Sequence, residues 1–131
     1  MFTIQLKVRD YECDMQGIVN NAVYQNYLEH ARHEFLLEQG LSFAQLTADG
    51  ILLVVKRVEI DYQSPLRSGD TFEVQCSTSR MSPLRFVFHQ KIVRLPDRKP
   101  IVEAKVVGTS INAQGRPFLP PVIEKLFGQS H

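Results

Sequence analysis

Only one stretch of the chain has the apolar spacing of a long helix. Its apolar residues are separated by four, three and four positions: Tyr24, Leu28, Ala31 and Phe35. This spacing places them in one stripe along a helical surface. Asn20 and Asn21 suit the N-cap, and Gly40 suits the C-terminal stop. We therefore predict a helix over residues 22–39, about 26 Å long at ~1.5 Å per residue.

Strand patterns surround this helix. Apolar and polar residues alternate over residues 2–9, and the same two-residue period returns after Gly50. Four further strands follow. They are separated by turn-forming segments at residues 64–70, 82–83 and 96–100. Sequential strands joined by short turns favour an antiparallel sheet, and one helix can cover a face of it. The sequence predicts a single α+β domain over residues 1–131, a curved antiparallel sheet of five to six strands wrapped around one long central helix. A short helix is predicted at residues 123–127.

The composition is that of a globular domain and excludes several classes of protein. The 131 residues include 15 Lys and Arg against 14 Asp and Glu, a net charge of +1, which argues against a nucleic-acid binder. No apolar run approaches the ~20 residues of a membrane helix, and the first residues lack the pattern of a signal peptide. Two cysteines are too few for a disulfide framework or a four-ligand metal site. We expect a cytoplasmic protein with no membrane span, metal or cofactor.

The densest group of reactive side chains lies between the first strand and the helix, in residues 10–21. A helix N-terminus presents unpaired backbone N–H groups and partial positive charge, which can stabilise a developing oxyanion. A carboxylate just upstream, such as Asp14, could act on the same carbonyl as nucleophile or general base. Gly17 would let the loop turn sharply. The same pattern also suits an Asp-rich turn before an ordinary capped helix, so the residues alone leave both interpretations open.

A family resemblance favours the first of these interpretations. It lies in residues 11–34, which read YECDMQGIVNNAVYQNYLEHARHE. This stretch resembles the signature of hotdog-fold thioesterases of the 4-hydroxybenzoyl-CoA thioesterase type, with a D-x-x-G-[IV]-V segment, a Tyr and a helix ending in E-x-[AS]-R. The matching residues are Asp14, Gly17, Ile18, Val19, Tyr24, Glu29 and Arg32. The form VNNAVYxNY, with LPD and IVEAK further on, is similar to the branch of acyl-ACP, methylketone-pathway and 1,4-dihydroxy-2-naphthoyl-CoA thioesterases.

The resemblance implies a hotdog fold and hydrolysis of an acyl-CoA or acyl-ACP thioester to a carboxylic acid and a thiol carrier. Asp14 is then the nucleophile or general base, the backbone N–H of Asn21 polarises the carbonyl, and Gly17 shapes the loop. Many relatives have His or Tyr where this chain has Asn20 and Asn21. Since Asn can only orient a group by hydrogen bonds, more of the chemistry falls to Asp14.

Two other classes of function stay open on the sequence. One is a module that binds acyl thioesters without hydrolysing them. The other is a different hotdog enzyme, such as a dehydratase, although the His and Glu pairing of the dehydratases is not visible in the corresponding segment. Hydrolysis is the function that the signature favours.

The resemblance also suggests which residues hold the acyl group. We expect Tyr24, Tyr27 and Val55 to line an apolar channel at a subunit interface and Asn20 to contact the substrate. Glu29 suits either a position facing the site or an exposed or interface salt bridge. Because the predicted sheet has open edges and a second face to cover, we expect a homo-oligomer, a dimer or a dimer of dimers.

The carrier of the thioester is expected to meet a basic segment. Residues 80–99 hold six bases against one acid, which suits the phosphates of coenzyme A or an acidic acyl carrier protein. Arg80, Ser82 and Arg85 fall where the family holds the nucleotide end of its thioester. Ordinary solvated strand faces are the alternative for this segment, and nucleic acid is not expected.

The remaining candidates for chemistry have simpler interpretations. His30 and His33 match no zinc motif and are expected on a solvated helix face. Cys13 has no neighbouring His in sequence and is expected to be a packing or exposed thiol. Cys76 is expected in the core because it lies on the apolar face of a strand.

Overall fold

The computed structural model describes residues 1–127 and contains one long helix, two short helices and six strands in that part of the chain. The long helix is α1, Asn21–Glu38, and the short ones are α2, Phe43–Ala48, and α3, Pro121–Leu126. The strands are β1, Phe2–Lys7; β2, Leu52–Tyr62; β3, Thr71–Ser82; β4, Arg85–Leu95; β5, Pro100–Ile111; and β6, Pro117–Phe118. A 3-10 turn at Asp10–Glu12 follows β1.

The strands form one antiparallel sheet, in the order β1-β3-β4-β5-β2, with β6 paired to the end of β5. The predicted α+β architecture of an antiparallel sheet with one long helix is therefore confirmed. Strands β1 and β2 are the outer strands of this order. Strand β2 exposes apolar side chains at Val55, Val58 and Tyr62, so this edge resembles a surface that another element covers.

Helix α1 begins and ends within one residue of the predicted bounds. The Asn20 side chain accepts a hydrogen bond from the Ala22 N–H at 3.1 Å, which is the capping contact expected of Asn. The predicted stripe is buried: Tyr24, Leu28, Ala31 and Phe35. The stripe packs on the inner face of the sheet in two clusters, one around Phe72 and Val74 and the other around Phe86, Phe88 and Val106. Burial of this stripe holds helix and sheet together.

Three local features depart from the predicted pattern. Helix α2 is absent from the sequence prediction, because six residues are too few to show a helical period; the Ser42 hydroxyl caps it by accepting from the Gln45 N–H at 3.1 Å. Lys56 interrupts the alternation of β2, and the pairing shifts between Val55 and Arg57. Lys56 is thus the extra residue of a β-bulge, which lets β2 return to its alternation. The third helix runs over Pro121–Leu126 rather than 123–127.

The sheet has two ends that matter for function. The Asp14 end contains the start of α1 and residues 63–70, since the Ile18 and Arg67 backbones pair there. The Arg85 end contains the β3–β4 turn and helix α3, since Arg85 pairs with Ser82 and Glu124 lies against Arg80. Strand β3 runs from one end to the other over 12 residues, which corresponds to about 36 Å at ~3.3 Å per residue.

Candidate active site

Residues 12–20 form a small hairpin that leads into α1. The Asn20 N–H donates to the Glu12 carbonyl at 3.1 Å, and the Asp14 N–H donates to the Ile18 carbonyl at 2.9 Å. Gly17 closes the turn with φ of +78°, a conformation that non-glycine residues rarely adopt. Its N–H donates to the Asp14 carbonyl at 3.0 Å. Gly17 therefore shapes the loop that carries Asp14, as expected from the sequence.

The Asp14 carboxylate is exposed and only partly engaged. Its Oδ1 accepts from the Gln16 N–H at 2.8 Å and is 3.4 Å from the Ile18 N–H. Within residues 1–127 its Oδ2 has no hydrogen-bond partner. One oxygen thus orients the side chain against the backbone, while the other is available to a substrate or a water molecule.

The start of α1 offers an available hydrogen-bond donor. The Ala22 N–H donates to the Asn20 side chain and the Val23 N–H donates to the Asn20 carbonyl at 2.9 Å. The Asn21 N–H has no acceptor among the described residues. Asn21 also borders a cavity of about 280 Å³ with Tyr24 and Tyr62. Because this N–H lies at the positive end of the helix, it suits the stabilisation of an oxyanion.

Two tyrosines hold the hairpin against the core. The Tyr27 hydroxyl donates to Glu12 Oε1 at 2.8 Å, and the same oxygen accepts from the Arg9 N–H at 2.8 Å. The Tyr24 hydroxyl oxygen accepts from the Leu66 N–H at 2.9 Å. Burial raises the pKa of both tyrosines, and for Tyr27 the hydrogen bond to Glu12 raises the pKa further. Both phenols therefore stay protonated. Tyr27 positions the hairpin directly, and Tyr24 positions Leu66, whose carbonyl accepts from the Val19 N–H of the hairpin at 2.9 Å.

The predicted acyl-channel residues separate into two places. Val55 and Glu29 border one cavity, of about 110 Å³, between α1, α2 and the sheet. Tyr24 borders the different cavity near Asn21. Tyr27 is 5% exposed and packs on Phe72 with ring centroids 4.6 Å apart. At ~100° per residue, Tyr27 lies about 160° around the helix from Glu29. Tyr27 thus faces away from Val55, contrary to the expectation that they line one channel.

The structure does not bring the basic carrier-binding candidates to Asp14 within one chain. Arg80, Ser82 and Arg85 all lie at the Arg85 end of the sheet, whereas Asp14 lies at the other end. Sequence spacing could not reveal this separation, because it depends on the length of β3. The exposed cations at the Asp14 end include Arg67, which the sequence did not single out and whose backbone pairs with Ile18. They also include Arg98 of the basic segment, because Leu95 pairs with Thr71 at the start of β3.

Arg80 is occupied by contacts within the chain. Its Nε donates to the Ser82 carbonyl at 3.2 Å, and its Nη2 lies 3.0 Å from the Pro83 carbonyl and 2.9 Å from Glu124 Oε1. This network ties α3 to the β3–β4 turn, which differs from the expected free phosphate contact. Arg85 is exposed and has no ion pair within the described residues, so it keeps its donors for a ligand.

The cysteines and histidines support no alternative chemistry. Burial and the surrounding carboxylates, led by Asp10, raise the pKa of the Cys13 thiol, which disfavours a thiolate nucleophile. Burial raises the pKa of Cys76, a core residue, to about 12. His30 is solvent-exposed beside Glu34, whereas His33 is half-buried against Phe43. No group of three or more His, Cys, Asp or Glu among residues 1–127 is arranged to hold a metal ion.

Comparison with known proteins gives the same class of domain. The profile of the Thioesterase-like superfamily matches residues 8–127. The chloroplastic acyl-acyl carrier protein thioesterase ATL3 of Arabidopsis thaliana is 42% identical over 118 residues, covering 90% of this chain and 62% of that protein. The long-chain acyl-CoA thioesterase FadM of Escherichia coli is 31% identical over 108 residues, covering 82% of this chain and 81% of that protein. The crystal structure of a 1,4-dihydroxy-2-naphthoyl-CoA thioesterase from Synechocystis matches with a TM-score of 0.90 at 20% identity, covering 96% of this chain and 94% of that structure.

The antiparallel sheet and the hairpin at the start of α1 define a hotdog-fold domain, and the likeness of fold to the Synechocystis structure agrees. The chain belongs to the Thioesterase-like superfamily. It spans only 62% of the length of the Arabidopsis relative. None of the helices in residues 1–127 is long and apolar enough to cross a bilayer.

Proposed function

We propose that this protein hydrolyses acyl thioesters to a free carboxylic acid and a thiol. The observation that carries the proposal is a hairpin that presents Asp14 Oδ2 and leads directly into the Asn21 N–H, and both groups lack a hydrogen-bond partner among residues 1–127. The two groups supply the two functions that acyl transfer needs, a nucleophile or base and an oxyanion donor. The relatives named as acyl-ACP and acyl-CoA thioesterases support the same reaction.

Two routes use these groups, and water is the only other reactant in both. In one, the Asp14 carboxylate attacks the thioester carbonyl, the C–S bond breaks to release thiolate, and water then hydrolyses the mixed anhydride. In the other, Asp14 takes a proton from a water molecule that attacks the carbonyl, and the same C–S bond breaks. In both routes the Asn21 N–H donates to the carbonyl oxygen as it gains negative charge, and the Asn20 side chain keeps the helix start in place.

We also propose that the working protein is a homo-oligomer. A carrier bound at the Asp14 end cannot easily reach Arg85 of the same chain across about 36 Å of sheet. A second copy related by a two-fold axis, with its sheet antiparallel to the first, would place its Arg85 end beside this Asp14 end. The exposed Val55, Val58 and Tyr62 of the β2 edge would be covered in such an assembly.

Free Cys13 and Cys76 suit a cytoplasmic location, where thiols stay reduced.

Light scattering should therefore give a mass of a dimer or of a dimer of dimers at micromolar concentration. The expected species are multiples of the 15.0 kDa chain, because the apolar β2 edge is costly to leave in water. Val58→Lys on this edge should shift the mass toward the monomer, whereas Glu59→Lys on the opposite face should not. A monomeric wild-type protein at these concentrations would contradict the proposed assembly.

Arg85→Ala should raise KM for an acyl-CoA several-fold and leave kcat nearly unchanged. Phosphate contacts far from the carbonyl bind the ground and transition states alike, and the rise should be larger at low salt. Arg67→Ala is the matched substitution at the Asp14 end, and the variant with the larger effect shows which end holds the carrier. For an N-acetylcysteamine thioester, which lacks the nucleotide, neither substitution should change KM. If Arg85→Ala slows hydrolysis of both substrates equally, Arg85 supports the fold and does not bind the carrier.

The proposed reaction is tested by a hydrolysis screen over acyl-CoA and acyl-ACP panels, read by release of free thiol. We expect turnover of at least one acyl class, with the preferred carrier identified by the panel that gives the higher kcat/KM. Binding of acyl thioesters without any release of thiol would instead indicate a non-hydrolytic module. Hydration of enoyl thioesters in place of hydrolysis would indicate a dehydratase.

A further inference from the structure

The cavity that borders Val55 has one polar wall, and that wall is part of α1. Glu29, Arg32 and His33 face it from the helix, while Phe43, Phe86 and Phe88 are among the apolar residues on its other sides. A cavity lined mostly by apolar residues with a few convergent polar groups is typical of a small-molecule site. We call it the helix cavity.

Arg32 is a cation with few partners inside the fold. Its Nη1 donates to Gln90 Oε1 at 3.1 Å, and Gln90 Nε2 donates in turn to the Leu28 carbonyl at 2.9 Å. Gln90 is 1% exposed, so this contact holds the guanidinium in one place. Among residues 1–127 no carboxylate forms an ion pair with Arg32. One of its five N–H donors is thus accounted for within the described chain.

The remaining donors of Arg32 face accessible space. In the described part of the chain, no side-chain nitrogen or oxygen is both sealed from solvent and without a hydrogen-bond partner. The unpaired guanidinium nitrogens therefore have room beside them, and the helix cavity that Arg32 borders supplies it. Burial lowers the pKa of Arg32, yet an Arg side chain keeps its charge in proteins. A charged donor set in a mostly apolar cavity is costly unless an acceptor is bound.

Glu29 decides which acceptor suits the site. It borders the same cavity without an ion pair to Arg32, so the pair offers both an acceptor and a donor. A hydroxyl group can accept from Arg32 and donate to Glu29, whereas a carboxylate would be repelled by Glu29. Burial lowers the pKa of His33, so its ring adds no positive charge at neutral pH.

The position of the cavity along α1 sets the distance from the reacting carbonyl. The guanidinium lies close to the Leu28 carbonyl, because the two bond opposite atoms of the same Gln90 amide. Leu28 is seven residues beyond Asn21, which is about 10 Å along the helix axis at ~1.5 Å per residue. An extended chain advances about 1.2 Å per bond, so crossing that distance takes at least about eight C–C bonds. The exposed Val55 and Val58 of β2 lie along the sheet toward Tyr62, which borders the cavity at Asn21.

We propose that the helix cavity binds the far end of the acyl group and that Arg32 with Glu29 selects acyl groups bearing a hydroxyl there. This inference rests on the proposed thioester hydrolysis and names the substrate class of that site. Arg32 is a specificity residue in this scheme, since it contacts the acyl group about 10 Å from the carbonyl and takes no part in breaking the C–S bond.

The test compares matched substrates that differ only in the hydroxyl. We expect wild-type kcat/KM for ω-hydroxydecanoyl-CoA to exceed that for decanoyl-CoA by about tenfold or more, because a site built to bond a hydroxyl rejects the analogue lacking it. β-Hydroxydecanoyl-CoA, with its hydroxyl near the carbonyl, should show no such gain. Arg32→Met should reduce the ratio to about one, while Arg57→Met, on an exposed Arg paired with Glu59, should retain it.

Two further measurements keep the outcome decisive. Arg32→Met removes the partner of Gln90, so the fold of this variant is checked by circular dichroism and thermal unfolding. The ratio of kcat/KM for the two substrates is also measured on the wild-type protein, where no substitution can disturb the fold. Binding of ω-hydroxydecanoic acid and of decanoic acid to the wild-type protein is compared by calorimetry, which is independent of turnover. Equal binding and equal kcat/KM for the two chains would overturn the proposal. If the protein binds the hydroxy acid selectively but hydrolyses no thioester, the proposed reaction is overturned and the proposed selectivity of the helix cavity is retained.

Discussion

Asp14→Asn should lower kcat at least ~100-fold and leave the fold intact, a loss equal to about 2.7 kcal/mol of transition-state stabilisation. An amide is neither a nucleophile nor a base toward a thioester, so both proposed routes lose the group that starts them. The amide oxygen can still accept from the Gln16 N–H, as Asp14 Oδ1 does at 2.8 Å. The loop should therefore keep its shape, and the loss should appear in kcat rather than in stability.

The measurement is steady-state release of free thiol, with circular dichroism and thermal unfolding to confirm the fold. Asp10→Asn is the matched control, because Asp10 lies in the same acidic segment and its carboxylate bonds the Ser68 hydroxyl. This control should change kcat by no more than a few-fold. Near-wild-type turnover by a folded Asp14→Asn protein would remove Asp14 from the mechanism.

Gly108→Ala should lower the free energy of unfolding by about 1–3 kcal/mol, the usual cost of forcing an extra methyl group into a packed site. A Cβ at this position would lie 2.6 Å from Cε1 of Phe86 and 2.9 Å from the carbonyl oxygen of Val54. The Phe86 ring cannot easily move, because it stacks on Phe127 with ring centroids 4.0 Å apart. The Val54 contact is to backbone, so the strand itself must shift.

Chemical denaturation of four proteins separates the two contacts: wild type, Gly108→Ala, Phe86→Leu and the double variant. If the clash with the Phe86 ring dominates, the double variant should be more stable than the sum of the single changes predicts. Strict additivity would place the cost on the Val54 backbone. A Gly108→Ala protein as stable as wild type would show that neither contact is tight. Gly108 and Phe86 both border the helix cavity, so turnover of long acyl groups should fall together with stability.

Features that depend on neighbours in sequence were predictable. The period of three and four residues located α1 to within one residue, because the buried face of a helix repeats along its own chain. The loop residues Asp14 and Gly17 and the capping residue Asn20 were also identified, since the turn and the cap involve residues two to four apart. Helix α2 was missed, because its six residues carry too little pattern and Ser42 and Leu46 stabilise it mainly through local capping and burial.

Features that depend on residues far apart in sequence were not predictable. The contact between Arg32 and Gln90 joins residues 58 positions apart, and the one between Tyr27 and Glu12 requires the hairpin to fold back on α1. The sequence identified Arg80 as a charged residue in a basic segment, yet only the packing of α3 shows that Glu124 occupies it.

The sequence by itself determined the order of the long strands and of α1, the helix that covers the sheet, and the loop that carries Asp14, because each is set by local periodicity and turn chemistry. The tertiary structure decided which of these features meet. It placed Arg85 and Asp14 at opposite ends of the sheet, turned Tyr27 away from Val55 and directed Arg32 toward the helix cavity. These relations depend on strand length, pairing register and the rotation of α1 on the sheet, and such quantities are fixed by packing between elements rather than within them.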